Sequence, residues 1–214
     1  MRNVMCAVAF GLVALAASSA MAQEIATVEL VSVGGTGCKK DEFVVALADD
    51  KTAFTVSYTN YTAAAGEGTT RQESRKNCNL NVKVKVPNGF TYGIAGADMR
   101  GYANLAPEAN GIAKVSFWFQ GNPMTGFLTH DIREASFSFP GAHVDGAFDD
   151  NWQTSDATPF ASIVWASCSA QRNLNVNTEL RASAPATAPY SWVTEDTTDI
   201  SLTTIYHLAF RACP

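Results

Sequence analysis

Leu80-Asn81-Val82-Lys83-Val84-Lys85-Val86 places an apolar side chain at every even position and a polar one at every odd position. In an extended chain successive side chains point to opposite faces, so this heptapeptide is a strand with one dry face and one wet face. Ala135-Ser136-Phe137-Ser138-Phe139 and Leu174-Asn175-Val176-Asn177 repeat the pattern. Further strands are expected at 25–33, 42–47, 53–58, 90–95, 113–119, 162–167 and 203–210. Almost no segment shows the three-four spacing of an amphipathic helix. About ten short strands point to an all-β fold. The expected architecture is a single antiparallel β-sandwich or flattened barrel with Greek-key connections.

The punctuation between these runs agrees. Gly34-Gly35-Thr36-Gly37, Asp49-Asp50-Lys51, Pro87-Asn88-Gly89 and Gly121-Asn122-Pro123 are turn chemistry, in which glycine or asparagine accepts positive φ and proline presets the bend. The segment 62–70 reads as a small, polar, mobile loop, and 183–189 as an extended Ala/Pro connection.

The N-terminus reads as an export signal. Arg2 supplies the positive end, residues 4–17 are uncharged and mostly apolar, and Ser18-Ser19-Ala20-Met21-Ala22 offers a cleavage site between Ala22 and Gln23. The run is too short for a membrane span of about 20 residues. The expected organisation is therefore a signal peptide over 1–22 and one secreted β domain over 23–214, extracellular or periplasmic and monomeric. The whole chain carries a net charge of −5, and residues 101–214 hold eleven acids against five Lys or Arg. A nucleic-acid binder needs a basic face, so that class is excluded.

Cys6 leaves with the signal, and Cys38, Cys78, Cys168 and Cys213 remain. An even number behind an export signal reads as two disulfides. Four cysteines allow three pairings. Joining neighbours, Cys38 with Cys78 and Cys168 with Cys213, is preferred because each lies at a strand end or turn, where Cα atoms reach bridging distance without bending a strand. The rival pairing clasps Cys38 to Cys213 and Cys78 to Cys168. A zinc site lacks any Cys-x-x-Cys or Cys-x-x-His spacing.

Several blocks occur in a recognisable order. Gly34-Gly35-Thr36-Gly37-Cys38 precedes Leu47-Ala48-Asp49-Asp50-Lys51-Thr52-Ala53-Phe54-Thr55. Glu73-Ser74-Arg75-Lys76-Asn77-Cys78 precedes Pro87-Asn88-Gly89-Phe90 and Arg100-Gly101-Tyr102. Val164-Trp165-Ala166-Ser167-Cys168 precedes Leu174-Asn175-Val176-Asn177, and a cysteine closes the chain. In this the chain resembles the secreted family catalogued as domain of unknown function 4360, found mainly among fungal and bacterial exported proteins. The resemblance implies a secreted, disulfide-bonded, β-rich protein and carries no activity or catalytic residue with it.

Candidate chemistry is sparse. Asp145, Asp149, Asp150 and Asp156 read as an acidic loop with oxygens for calcium, although the EF-hand spacing is absent. His130 and His143 with this loop are the candidates for a hydrolase, as a general-base pair or as a metal site, but no Gly-x-Ser-x-Gly elbow or HExxH accompanies them. The aromatics say more. Alternation in Phe117-Trp118-Phe119 buries the phenylalanines and turns Trp118 outward with Ser116 and Gln120. Trp152 in the acidic loop and Trp192 after the Ala/Pro connection join it as candidates for stacking on a ligand. Trp165 shares a face with Ile163 and reads as core. Asn60-Tyr61-Thr62 is a glycosylation sequon. The preferred expectation is a non-enzymatic extracellular module that binds a polymer, such as a polysaccharide, or a protein partner; the secreted hydrolase is the alternative.

Overall fold

The computed structural model describes residues 26–39, 41–121, 126–131, 146–195 and 203–214. Their twelve strands are β1 (Thr27–Gly35), β2 (Phe43–Leu47), β3 (Ala53–Tyr58), β4 (Thr62–Ala65), β5 (Arg75–Lys85), β6 (Phe90–Leu105), β7 (Asn110–Phe119), β8 (Gly126–Asp131), β9 (Phe148–Ala157), β10 (Leu174–Ser183), β11 (Ser191–Thr194) and β12 (Thr203–Ala212). Every pairing is antiparallel. No α-helix occurs among the described residues, so none there could cross a membrane as a helix.

The strands form two sheets. One is five-stranded, in the order β1-β5-β10-β7-β8; the other is seven-stranded, in the order β2-β3-β12-β6-β11-β4, with β9 on the free side of β6. The alternation that marks 80–86 decides the layering. On β5 it buries Cys78, Leu80, Val82 and Val84, on β10 Leu174, Val176 and Leu180, and on β7 Val115, Phe117 and Phe119. Opposite them the second sheet supplies Phe54, Val56, Ile94, Met99 and Tyr206 to the same core. Tyr92 of β6 meets Phe119 of β7 edge-on across the layers, with ring centroids 5.5 Å apart. Each fully buried Val, Leu, Ile or Phe contributes roughly 1.5–3 kcal/mol, so the shared core outweighs any one polar contact described below.

Both disulfides follow the neighbour pairing. Cys38 bonds Cys78 with Cα atoms 5.3 Å apart, and Cys168 bonds Cys213 at 5.8 Å. Cys38 lies in the link from β1 to β2, where the chain leaves one sheet for the other, so its bridge fastens that crossing to β5. Two structural disulfides fit an oxidising, extracytoplasmic compartment.

Several expectations need correction. The acidic segment is not a loop: residues 148–157 form β9, paired along β6 from Gly96 to Leu105. Its Phe148, Trp152 and Thr154 are buried at even positions, an alternation masked by aspartates that strands usually avoid. The supposed mobile loop begins with β4, and Ser191–Thr194 is a strand, too short to show a period. Residues 162–167 do not form a strand; a 3-10 turn at Phe160–Ser162 leads to an isolated bridge between Trp165 and Gly93. Trp165 is only half-buried, set edge-on against exposed Phe160 and under the Arg211 guanidinium. The strand expected at 90–95 continues to Leu105, since Gly96 and Gly101 give β9 and its neighbours room to approach. The run 135–139 lies outside the described residues.

Candidate functional site

The polar positions of the deciding alternation converge on the outer face of the five-stranded sheet. Register places Trp118, Asn175, Asn81 and Ser32 side by side across four strands, and Ser116, Asn177, Asn79 and Gly34 in the next row. The side-chain amides bond to one another. Asn81 Nδ2 donates to Asn175 Oδ1 at 2.7 Å, Asn173 Nδ2 to Asn81 Oδ1 at 2.7 Å, and Asn177 Nδ2 to Asn79 Oδ1 at 2.6 Å. An amide has two N–H donors and an oxygen with two lone pairs, so each keeps hydrogen-bonding capacity after these contacts. The half-buried Trp118 ring borders a depression of about 270 Å³ with Ser32, Asn79, Asn81 and Asn175. A flat aromatic beside oriented, uncharged amides suits a polyhydroxylated ligand: the ring takes its apolar face and the amides its hydroxyls.

The three tryptophans do not share a site. Trp152 is 1% exposed and lies in the core, admitted because Gly101 has no side chain: a Cβ there would collide with the indole and with the Thr194 carbonyl. Trp192 stands on the outer face of the other sheet, stacked on Tyr102 with centroids 5.4 Å apart. Beside that pair, Asp149 Oδ1 accepts from Tyr102 Oη at 2.6 Å and from Asn104 Nδ2 at 2.9 Å. These two donors hold the Asp149 carboxyl below its ordinary pKa, and the same bond pushes the Tyr102 hydroxyl up to about 12.

Further along this face, Asp98 of β6 joins strands on either side. Its Oδ2 lies 2.7 Å from His207 Nε2 on β12, and its Oδ1 accepts from Ser155 Oγ on β9. Partial burial works to raise the Asp98 pKa, but the bonds from Ser155 and His207 hold it below the ordinary value. Sequence reasoning missed this cluster, because its members are 57 and 109 residues from Asp98 and share no local pattern. The carboxylate sits in the middle, bonded to both serine and histidine. A nucleophilic triad instead needs its histidine between serine and acid.

The remaining expected residues scatter. Asp149 lies on the outer face of β9 and Asp150 and Asp156 on its other face, because side chains alternate along a strand. Asp145 and His143 lie outside the described residues. His130 falls on β8 at the register position opposite Ala113. Among the described residues, no three His, Cys, Asp or Glu side chains are grouped to hold a metal. Asn60 of the sequon is exposed in the turn after β3.

Comparison with known proteins adds three findings. Residues 24–213 match the sequence profile of the family described as Domain of unknown function (DUF4360). An uncharacterized secreted protein of Arthroderma benhamiae is 32% identical over 183 residues, covering 86% of this chain and 70% of that protein. The enzymatically active domain of bacteriophage CBA120 tailspike protein 4 aligns with 88% of this chain and 19% of its own, at 11% identity and a TM-score of 0.25, a likeness too slight to carry any argument.

Proposed function

The chain belongs to the DUF4360 family, and from that premise we propose that it is an extracellular, non-enzymatic module that binds polysaccharide on the outer face of its five-stranded sheet. The observation that carries this reading is Trp118 beside the hydrogen-bonded asparagine rows, bordering a depression of about 270 Å³. Support also comes from the relative described as a secreted protein and from two disulfides suited to life outside the cytoplasm. The amides are held in place by their neighbours before any ligand arrives, which lowers the entropy lost on binding. All the groups involved are neutral, so the ligand class is an uncharged glycan.

Retention of the purified protein on insoluble cellulose, chitin and β-glucan tests the proposal. One polymer should retain it, and Trp118→Ala should lower the affinity at least tenfold, about 1.4 kcal/mol. The circular dichroism spectrum should be unchanged, since Trp118 faces away from the core. Retention by no polymer, or equal retention of wild type and W118A, refutes the reading.

A further inference from the structure

A second concavity lies between the turn linking β5 to β6 and the segment leading into β10. It encloses about 290 Å³, and its lining includes Asn88, Phe90, Tyr92, Ser167, Gln171 and Arg172. We propose that this cavity is a separate ligand site for a single carboxylate-bearing sugar, such as a uronic acid, anchored by Arg172. The proposal does not rest on the Trp118 face.

Charge is the first argument. Among the described residues, Arg172 is the only charged side chain lining the cavity, in a chain whose net charge is −5. Its Nη1 donates to the Gln120 carbonyl at 2.9 Å, and a Cβ on Gly121 would come within 2.5 Å of that nitrogen. Arg172 is exposed, and its guanidinium is tethered to the turn after β7 by one of its five donors, which leaves donors for a ligand. A planar fork held in this way matches a carboxylate. The acidity of the whole chain disfavours a polyanion at long range, which restricts the ligand to one or a few charges.

Shape and polarity narrow the class further. The volume sits at the lower end of small-molecule pockets, roughly 300–1,000 Å³, and suits one sugar residue rather than a chain. Phe90, 36% exposed, provides an aromatic side for a sugar's apolar face. Asn88, Gln171 and the Ser167 hydroxyl, 3.0 Å from that of Ser169, provide neutral hydrogen-bonding groups. Beneath them the buried Tyr92, packed edge-on against Phe119, closes the floor of the cavity.

The cavity is also built to hold its shape. The Cys213 N–H donates to the Gly89 carbonyl at 2.7 Å on one wall, and the Cys213 sulfur is bonded to Cys168 on the other. Tyr92 and Ala166 tie the walls again through a backbone bond of 2.8 Å. Preorganisation of this kind is characteristic of binding sites.

Calorimetric titration of the full mature protein with D-glucuronate, D-glucose and acetate tests the assignment. Glucuronate should bind at least tenfold more tightly than either glucose or acetate. Arg172→Gln should lose at least tenfold in glucuronate affinity while its unfolding midpoint stays within a few degrees of wild type. W118A should bind glucuronate as wild type does, so the two sites fail separately. Equal binding of glucose overturns the carboxylate assignment, and equal binding of acetate overturns the sugar. Undiminished binding by R172Q overturns the site.

Discussion

Glu195 follows β11 directly and is fully buried, at 0% exposure. Thr204 Oγ1 hydrogen-bonds its Oε1, and its Oε2 has no partner among the described residues. Around it stand Tyr58 of β3, Tyr61 and Tyr206 of β12, and none of these is a cation. Burial without a counter-charge pushes the Glu195 carboxyl up from 4.5 to about 8. The folded protein thus holds a proton there that the unfolded chain releases near 4.5. The stabilisation is fully present below that pH, declines as pH rises and is lost by about pH 8. At about 1.4 kcal/mol per tenfold change in proton affinity, the whole interval is worth on the order of 5 kcal/mol, and the part up to pH 7 about 3 kcal/mol. Glu195→Gln keeps the shape and removes the titration. Urea unfolding of both proteins at pH 4.5, 7 and 8.5 should give similar stabilities at the lowest pH. The difference should then grow in favour of Glu195→Gln by several kcal/mol. A difference that stays constant across this range would mean that Glu195 is not the buried acid described here, and would sink the reasoning.

Two shorter predictions concern residues that hold the fold. Trp152→Ala removes a fully buried side chain packed on Gly101; it should cost about 3–5 kcal/mol by chemical denaturation, with polymer retention of the folded fraction unchanged. Retention lost in the folded fraction would put Trp152 back among the ligand contacts. Replacing Cys38 and Cys78 together by alanine opens a bridge between residues 40 apart. This should cost about 4 kcal/mol in the chain-entropy model, and an unchanged unfolding midpoint would contradict it.

How much of this was legible in the sequence depended on whether the information was local. The heptapeptide 80–86 alternates cleanly because both its faces have uniform surroundings, core on one side and solvent on the other, and both its strand and its buried face could be read. The outward direction of Trp118 followed from the same rule applied to Phe117-Trp118-Phe119. Trp152 failed because its neighbours Asp149, Asp150 and Asp156 look like loop residues. What makes 148–157 a strand is the long partner β6, with Gly101 making room for the indole, and neither is local to that segment. The asparagine rows were half visible: Asn175 and Asn177 alternate as Asn79 and Asn81 do, but only the register of β5 against β10 shows that they meet. The cluster of Asp98, Ser155 and His207 was beyond any pattern, assembled from three strands that the sequence separates.

The last strand of the chain occupies a central place in its sheet, with β3 on one side and β6 on the other. A strand that detaches from the middle of a sheet uncovers two rows of unsatisfied backbone groups at once. Each such row is a template for a strand from another molecule. The Cys168–Cys213 bridge closes this route by anchoring Cys213, the residue that follows β12, to Cys168. Its role is therefore protective as well as stabilising. In a dilute, chaperone-free medium, a molecule lacking this bridge would be exposed to irreversible self-association through its own sheet well before it lost its core.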